Sequence, residues 1–509
     1  MPESHRIALT DRALTLDSLD GAHGPILLSL SDDLWSRVDH GHRHVRRIAA
    51  EAAPAYGINT GIGHLCTKRI SPDQVEALQT NLIRSHAVGV GEPAPSEIVR
   101  LMMLLKVYAL THGVSGVSRT TLESLIGLLN ADVLPVIPTQ GSLGASGDLA
   151  PLAHMVLPMI GQGHVQVDDR VQPARDALKK HRLSPITLGP KEGLALINGT
   201  QFMAAYAVNI ALRARHLLKH ADIVAVMSLE GLMGSLRPFD ERLQRLRPHA
   251  GALESAENVR RMMDQSEILP SHANCDRVQD PYSLRCVPQV HGASRDAVRH
   301  AANVIETEIN SVTDNPIIFD DGDVVSGGLF HGQPLALVLD YMAIAIAELA
   351  SISERRVYLL LSGVAGLPQL LMRDTGVNSG FMLPQYTAAA LVSENKGLCM
   401  PASVDSIPTS LGQEDHVSMG ARAATKCFQV LANAETVLAI EQLCAAQALD
   451  YRAGLKPGIG PRVAHAEMRK EIAHAEADRL FGDDMQASLR LLRSRRISAV
   501  VEQAVGPLK

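Results

Sequence analysis

Aromatic residues, cysteines and excess charge are all scarce in this 509-residue sequence. Each scarcity limits the kind of core, site or partner that the protein can have. Phenylalanine, tryptophan and tyrosine make up only 3% of the chain, so a core must be built mainly from leucine, alanine, isoleucine, valine and methionine. A core of that kind suits long packed helices. The net charge is −6, whereas a nucleic-acid partner would require a basic patch. We therefore expect no nucleic-acid partner.

The few cysteines are scattered without the paired spacing of a disulfide framework or a zinc site. They are Cys66, Cys275, Cys286, Cys399, Cys427 and Cys444. The first residues of the sequence, MPESHR, have no apolar signal core. These features predict free thiols in a reducing compartment, and hence a cytoplasmic protein. His272 and His291, near two of the cysteines, complete no four-ligand pattern, so we expect no metal.

Helical periodicity dominates the second half of the chain. The expected long helices cover residues 201–233, 294–312, 333–361, 385–395, 420–449 and 463–481. The most apolar stretch, 335–349, carries Asp340 and Glu348, which favours a buried helix over a membrane span. The sequence predicts a mainly α fold, with a long-helix bundle over 201–509 and a smaller mixed lobe over 1–200.

The N-terminal lobe combines shorter helices with β-like pieces. We expect helices at 31–53, 73–90, 95–110 and 120–129, short extended pieces at 6–9 and 26–28, a small hairpin at 165–172 and a linker at 185–193. This lobe also contains the stretch with the most unusual chemistry, GSLGASGDLAPLAHM at residues 141–155.

Three small residues at the centre of that stretch, Ala145, Ser146 and Gly147, can react with one another. In a tight turn the amide nitrogen of Gly147 can reach the carbonyl carbon of Ala145. Ring closure and the loss of two waters, one of them from Ser146, give a methylidene-imidazolone, which is a strong electrophile. Gly147 suits this role because it has no side chain to obstruct its nitrogen. Asp148 is expected to cap a following helix, whose positive dipole end favours an electrophile.

The residues of this loop exclude two other kinds of site. A nucleophile elbow requires glycine two residues after the serine, but Asp148 stands there. A phosphate-binding loop requires Lys-Ser/Thr or the GxGxxG pattern, and neither follows. An ordinary turn of small residues remains, and taken alone the tripeptide favours that simpler interpretation.

Five further motifs favour the reactive tripeptide over an ordinary turn, because they occur together and in a recognisable order. They are YGINTG at 56–61, SHAVG at 85–89, NGTQ at 198–201, QDPYSLR at 279–285 and QEDHVSM at 413–419. With the tripeptide they resemble the signature of the aromatic amino acid ammonia-lyases and their aminomutase relatives, most of all the histidine-specific members. The resemblance runs from about Ala13 to the last fifty residues.

The resemblance implies an activity and an assembly. The implied reaction eliminates ammonia from L-histidine and gives trans-urocanate. It uses a methylidene-imidazolone formed autocatalytically from Ala145, Ser146 and Gly147, with no dissociable cofactor. The implied partners are the small amino acid substrate and further copies of the chain, in a homotetramer whose active sites combine loops from three chains. No membrane partner is expected.

Several residues acquire roles through this resemblance. Tyr56 is implied as the base that removes the β-proton of the substrate. Arg285 is implied to clamp the substrate carboxylate, since its fork matches two oxygens, and Asn198 to add a hydrogen bond. Gln279 and Tyr282 are implied to line the ring of the prosthetic group.

Four more positions are carried over from the family. Asn315 is implied to lie near the carboxylate, although Asp-Asn-Pro is also a common turn. Phe330 is implied to lie near the electrophile, although a phenylalanine can simply pack a core. His86 and Glu414 are implied to read the substrate side chain. A carboxylate can pair with an imidazole, whereas a phenyl ring would leave it buried and unpaired, so L-histidine is favoured over phenylalanine or tyrosine. The alternative for Glu414 is a solvated cluster at the entry to a helix.

Some positions near the implied site depart from the family pattern. They are Ile62, Leu329 (in place of asparagine), Gln333 (in place of glutamate) and the pair Leu411-Gly412. These departures keep open a histidine 2,3-aminomutase, which would return ammonia to the β-carbon and make β-histidine. A catalytically silent helical scaffold is a third possibility, against which the joint presence of the tripeptide, Tyr56 and Arg285 argues.

Overall fold

The computed structural model describes residues 4–51, 53–61, 68–275 and 277–509. Over these residues the chain is mainly helical, which confirms the predicted fold class. The first ten α-helices are α1 (Leu16–Leu19), α2 (Asp32–Ala50), α3 (Val75–His86), α4 (Ser96–Leu110), α5 (Arg119–Asn130), α6 (Leu149–Val156), α7 (Ala174–Lys180), α8 (Glu192–Ile197), α9 (Gln201–Gly231) and α10 (Glu241–Arg245). The others are α11 (Ala250–Met262), α12 (Ile268–Ser271), α13 (Tyr282–Arg285), α14 (Val287–Ile309), α15 (Gln333–Leu361), α16 (Met382–Leu398), α17 (Gly420–Asp450), α18 (Ile459–Arg469), α19 (Phe481–Arg493) and α20 (Arg496–Val505).

Short strands connect the helices in the N-terminal part of the chain and around residue 320. They are β1 (His5–Leu9), β2 (Ile26–Leu30), β3 (Val90–Pro93), β4 (Leu134–Pro135), β5 (Pro138–Gln140), β6 (His164–Val167), β7 (Arg170–Pro173), β8 (Ile317–Ile318) and β9 (Val324–Val325). β1 and β2 pair in parallel with His5 opposite Ile26, and β4, β6 and β7 form a three-stranded antiparallel sheet. The β6–β7 pair is the hairpin predicted at 165–172.

Local sequence explains where the helices begin. Ser31 stands at the N-cap of α2, and Asp32 and Asp33 place negative charge in its first turn, where the helix dipole favours it. Pro334 occupies the first turn of α15, a position at which its missing N–H costs no hydrogen bond. In α5 the Ser118 hydroxyl accepts a hydrogen bond from the Thr121 amide and so caps the helix.

One predicted helix, 463–481, is wrong over its second half. α18 ends at Arg469 and α19 begins at Phe481. Asp450 on α17 binds the side chains of both Arg469 and His474, at 2.6 and 2.7 Å. Residues five apart point to different sides of a helix, so an unbroken helix could not present both to one carboxylate.

Contacts divide the chain into two compact units. The first comprises residues 1–212, 302–340 and 401–425, and the second comprises 213–301, 341–400 and 426–509. All the strands named above belong to the first unit, as does the loop at 141–148. The division of the chain at residue 200 stays a prediction.

Within the described ranges, α15 is long and apolar enough to cross a membrane by length and composition. However, 67% of its most apolar 18-residue stretch is buried inside the protein. Asp340 in the same helix accepts a hydrogen bond from the Ser403 amide. This environment agrees with the predicted buried helix.

Candidate active site

The loop at 141–148 makes a series of tight turns. Gly141, Gly144, Ser146 and Gly147 all have positive φ angles, of 116°, 86°, 51° and 76°. Glycine adopts such angles without strain, whereas Ser146 is held there only because the surroundings determine its backbone. A Cβ on Gly144 would collide with the Ser418 hydroxyl, so the loop lies directly against the segment that leads into α17.

A short extended segment, Asn198 and Gly199, presses against the tripeptide. The Gly199 amide donates to the Ser146 carbonyl oxygen at 3.3 Å, and the Asp148 amide donates to the Gly199 carbonyl oxygen at 2.7 Å. A Cβ on Gly147 would overlap that same carbonyl oxygen. Only glycine therefore fits at position 147. The Gly199 backbone packs against residue 147 and restrains it.

Asp148 has a different role from the one expected. Its backbone stands at the N-cap position of α6, but its side chain makes no cap hydrogen bond to that helix. Oδ2 instead accepts hydrogen bonds from the Phe202 and Met203 amides in the first turn of α9, both at 3.0 Å. Complete burial raises the pKa of Asp148 to about 7, although these two hydrogen bonds oppose the rise. The carboxylate thus joins the tripeptide loop to α9.

A cavity of about 540 Å³ opens beside the loop, and its size falls within the roughly 300–1,000 Å³ common for small-molecule sites. The lining brings together five residues singled out from the sequence, with five others. The lining residues are Pro54, Tyr56, Thr60, Ser146, Asn315, Ser326, Gly327, Phe330, Gln413 and Glu414. Among these described residues none is cationic, so the cavity wall offers no counter-ion for a carboxylate.

Of the predicted substrate-reading pair, Glu414 lines this cavity, whereas His86 is not among the lining residues. Glu414 is half-buried rather than solvated, and its carboxylate accepts a hydrogen bond from the Thr409 hydroxyl at 2.9 Å. His86 ends α3, and its Nδ1 lies 2.8 Å from the Leu82 carbonyl oxygen. Burial lowers the pKa of His86, while the Leu82 carbonyl and the Glu414 carboxylate oppose that shift. His86 and Glu414 are therefore close enough to influence each other.

Two asparagines connect the cavity wall to the interior. The Asn198 amide group donates to the Asn315 carbonyl oxygen at 3.1 Å, and the Asn315 side-chain oxygen accepts from the Gly327 amide at 2.8 Å. Beneath them, Lys191 pairs with Asp314 at 2.5 Å, with both side chains buried. Lys191 thus holds Asp314, the residue that precedes Asn315 in the chain.

Three predicted residues belong to the second unit and are not among those lining the cavity. Gln279 and Tyr282 are exposed, and Tyr282 and Arg285 are the first and last residues of α13. The Arg285 guanidinium carbon lies 4.5 Å from the centre of the Tyr282 ring, and Nε of Arg285 is buried without a hydrogen-bond partner in the described structure. The predicted roles of Gln279, Tyr282 and Arg285 at the site therefore stay predictions.

The departures from the family pattern have different surroundings. Leu329 is 55% exposed beside Phe330, and Leu411 is 85% exposed. Gln333 donates to the Ser403 carbonyl oxygen at 3.0 Å, while its Oε1 is buried without a hydrogen-bond partner in the described structure. Ile62 and Cys66 lie outside the described residues.

The two histidines that lie near cysteines in the sequence contact protein groups. His272 bonds the Ile268 and Gly234 carbonyl oxygens, and His291 bonds Asp222. His40, His44 and Asp320 lie close enough to hold an ion. However, Arg43 lies 3.4 Å from Nδ1 of His40, and Nε2 of the same ring lies 3.2 Å from both Asp320 and His44. Protein groups thus contact both nitrogens of His40, and we assign no metal to the group.

The sequence pattern of the aromatic amino acid lyase family matches residues 14–470. The chain belongs to this family. A histidine ammonia-lyase from Symbiobacterium thermophilum is 50% identical over 482 residues, which cover 94% of this chain and 95% of the relative. The membership inferred from the motifs is confirmed.

Solved structures of similar proteins include both an ammonia-lyase and an aminomutase. The histidine ammonia-lyase from Trypanosoma cruzi is 39% identical, with a TM-score of 0.91 over 98% of this chain and 96% of that chain. The tyrosine aminomutase from Streptomyces globisporus is 32% identical, with a TM-score of 0.92 over 99% of this chain and 100% of that chain. The family fold alone therefore does not separate lyase from aminomutase.

Sequence reasoning missed half of the cavity lining. The missed residues are Pro54, Thr60, Ser326, Gly327 and Gln413. Thr60 and Gln413 stand inside motifs that the sequence already marked, so their neighbours in those motifs were a usable signal. Pro54, Ser326 and Gly327 lie within three residues of marked positions and carry no signal of their own.

Proposed function

We propose that this protein is a carbon–nitrogen lyase that eliminates ammonia from L-histidine and releases trans-urocanate. The observation that carries the proposal is the cavity in which Ser146, Tyr56 and Glu414 face one space. The histidine ammonia-lyase relatives, which match this chain over nearly its whole length, support the same reaction. We place the protein in the cytoplasm, where cysteine thiols stay reduced.

The proposal includes a methylidene-imidazolone made from Ala145, Ser146 and Gly147. The residues fit that group, because Ser146 and Gly147 are already in a tight turn and Gly199 leaves no room for a side chain on residue 147. Ser146 also faces the cavity. Once formed, the group supplies an electron sink that eases the departure of ammonia. No dissociable cofactor is required.

The surrounding residues then bind and orient the substrate. Tyr56 takes the β-proton on its phenolic oxygen, a role worth roughly 10²–10⁴-fold in rate. Asn198 and Asn315 offer polar groups toward the substrate carboxylate, and Phe330 packs beside the tripeptide. His86 and Glu414 hold the imidazole of the substrate.

Replacing Glu414 with glutamine tests the choice of substrate. The change keeps the shape but removes the charge, so kcat/KM for L-histidine should fall about 10- to 100-fold, as expected for a hydrogen bond to a charged group. Steady-state kinetics would measure this. Asp415→Asn is the matched control, because Asp415 is the exposed neighbour and does not line the cavity. Equal losses in both variants would contradict a specific role for Glu414.

We also propose a homotetramer with shared active sites. The described residues that line the cavity include no cation for the substrate carboxylate, and Arg285, with Gln279 and Tyr282, would supply it from a neighbouring chain. The second unit exposes large apolar side chains suited to such an interface. They are Tyr341, Ile344, Tyr358, Leu383 and Tyr386. Light scattering should give about four times the chain mass of 54.7 kDa, and a monomer with full activity would contradict shared sites.

The decisive experiment incubates purified protein with L-histidine. Ultraviolet absorbance follows urocanate, while chromatography detects β-histidine. We expect urocanate and free ammonia as the products. The aminomutase remains the second candidate, because Leu329 and Gln333 change the polarity beside the cavity and the fold is shared with a tyrosine aminomutase. Accumulation of β-histidine in place of urocanate would establish that candidate, and neither product would overturn both.

A further inference from the structure

One buried lysine, Lys106, bonds the segment next to the tripeptide but has no role in the reaction as proposed. Lys106 belongs to α4, in which every residue from Leu101 to Leu110 is buried, and its own side chain is only 1% exposed. Lysine is almost never this buried without a specific partner. Its Nζ donates to the Asn198 carbonyl oxygen at 2.6 Å and lies 3.4 Å from Oε1 of Gln201.

The acceptor of that hydrogen bond is the peptide that presses on the tripeptide. Asn198 and Gly199 share this peptide, and Gly199 bonds both Ser146 and Asp148 through its backbone. Gly147 and Gly199 form a parallel bridge, with no space for a side chain between them. The position of the Asn198–Gly199 peptide therefore sets the space available to the Gly147 backbone.

A comparison with a second buried lysine shows what is particular about Lys106. Lys191 is paired directly with the Asp314 carboxylate at 2.5 Å. The hydrogen bonds of Lys106 go to a backbone carbonyl and a side-chain amide. Burial lowers the pKa of Lys106 to about 7, and Asp314 and Asp148 oppose the shift while Lys191 adds to it. Burying this amine is costly. Its shorter hydrogen bond goes to the Asn198 carbonyl oxygen, in the peptide that packs against the tripeptide.

We propose that Lys106 is a positioning residue for the self-modification of Ala145, Ser146 and Gly147, because it holds the Asn198–Gly199 peptide against the tripeptide. The inference rests on the proposed function, in which that tripeptide cyclises. Lys106 acts through Asn198 and Gly199 and takes no part in the bond changes.

The bond changes need no oxidant or reductant. The Gly147 nitrogen, which now donates to the Gly144 carbonyl oxygen at 3.3 Å, forms a bond to the Ala145 carbonyl carbon. The Ala145 oxygen leaves as water with the amide hydrogens of Gly147 and Ser146, which gives the ring C=N bond. The Ser146 hydroxyl leaves as a second water with its α-hydrogen, which gives the exocyclic C=C bond. A fixed Gly199 favours the first step, because it limits the motion of Gly147 away from Ala145.

The test measures mass rather than turnover. Lys106→Met is synthesised in a cell-free system, and intact mass spectrometry follows the loss of two waters over time. We expect the rate of mass loss to fall about 10- to 100-fold, the range for losing a hydrogen bond made by a charged donor. Lys426→Met is the matched control, because Lys426 is also a buried lysine that donates to a backbone carbonyl, that of Met400, in the second unit. This control should lose two waters at the wild-type rate.

The possible outcomes separate the two proposals. Mass loss at the wild-type rate in Lys106→Met would overturn the positioning role and leave the proposed function intact. A wild-type chain that never loses two waters would overturn the proposed function and this inference with it. If Lys106→Met does not fold, as judged by thermal melting, Lys106→Gln serves instead, since it keeps a polar but shorter side chain. Unchanged mass loss in Lys106→Gln would also overturn the positioning role.

Discussion

Replacing Ser146 with alanine should lower the turnover of L-histidine by at least about 10³-fold. Enzymes accelerate their reactions by roughly 10⁶-fold or more, and a positioned base accounts for roughly 10²–10⁴-fold of this. The electrophile and its surroundings must supply the rest. Without the Ser146 hydroxyl the second water cannot leave, so the electrophile cannot form. Urocanate absorbance in steady state, with a large excess of enzyme for the variant, measures the loss.

Intact mass and a matched serine make this result specific. The measured mass of wild-type protein should be lower, by the mass of two waters, than the mass calculated from its sequence. Ser146→Ala should not show that deficit. Ser142→Ala is the control, since Ser142 stands in the same loop but does not line the cavity. It should keep both the mass deficit and the activity. Near-normal turnover in a correctly assembled Ser146→Ala protein would defeat the proposed chemistry.

The sequence was most informative where chemistry depends on neighbouring residues. Ala145, Ser146 and Gly147 are adjacent in the chain, so their reaction could be foreseen before any fold was known. Tyr56 and Glu414 each stand in a motif, and the structure gathers them at one cavity with Ser146. The mainly helical fold also followed from local patterns, because apolar periodicity reports directly which face of a helix is buried.

Contacts between distant segments were not predictable in the same way. The sequence predicts that Asp148 caps the helix that follows it, but its carboxylate binds α9, more than fifty residues later. Lys106 gave no signal, because a lysine within an apolar helix could equally mark an exposed edge. The break after Arg469 depends on Asp450, a partner nineteen residues away. Each case depends on tertiary packing, which overrides local preference.

Replacing Tyr56 with phenylalanine should lower kcat by about 10²–10⁴-fold and leave the loss of two waters unchanged. The phenolic oxygen is the only atom removed, so the shape of the cavity wall is retained. The variant separates the base from the electrophile, because Ser146→Ala should prevent the mass loss and lower turnover, whereas Tyr56→Phe should affect turnover alone.

The kinetic pattern of Tyr56→Phe distinguishes a base from a packing residue. A base contributes mainly in the transition state, so kcat and kcat/KM should fall together while KM changes little. Loss of a packing contact would instead raise KM. Tyr108→Phe is the matched control, because its hydroxyl bonds Asn310 in the same unit and Tyr108 is not among the residues that line the cavity. It should keep kcat. A Tyr56→Phe variant with normal kcat would transfer the role of the base to another group at the cavity, and Glu414 would then be the first to test.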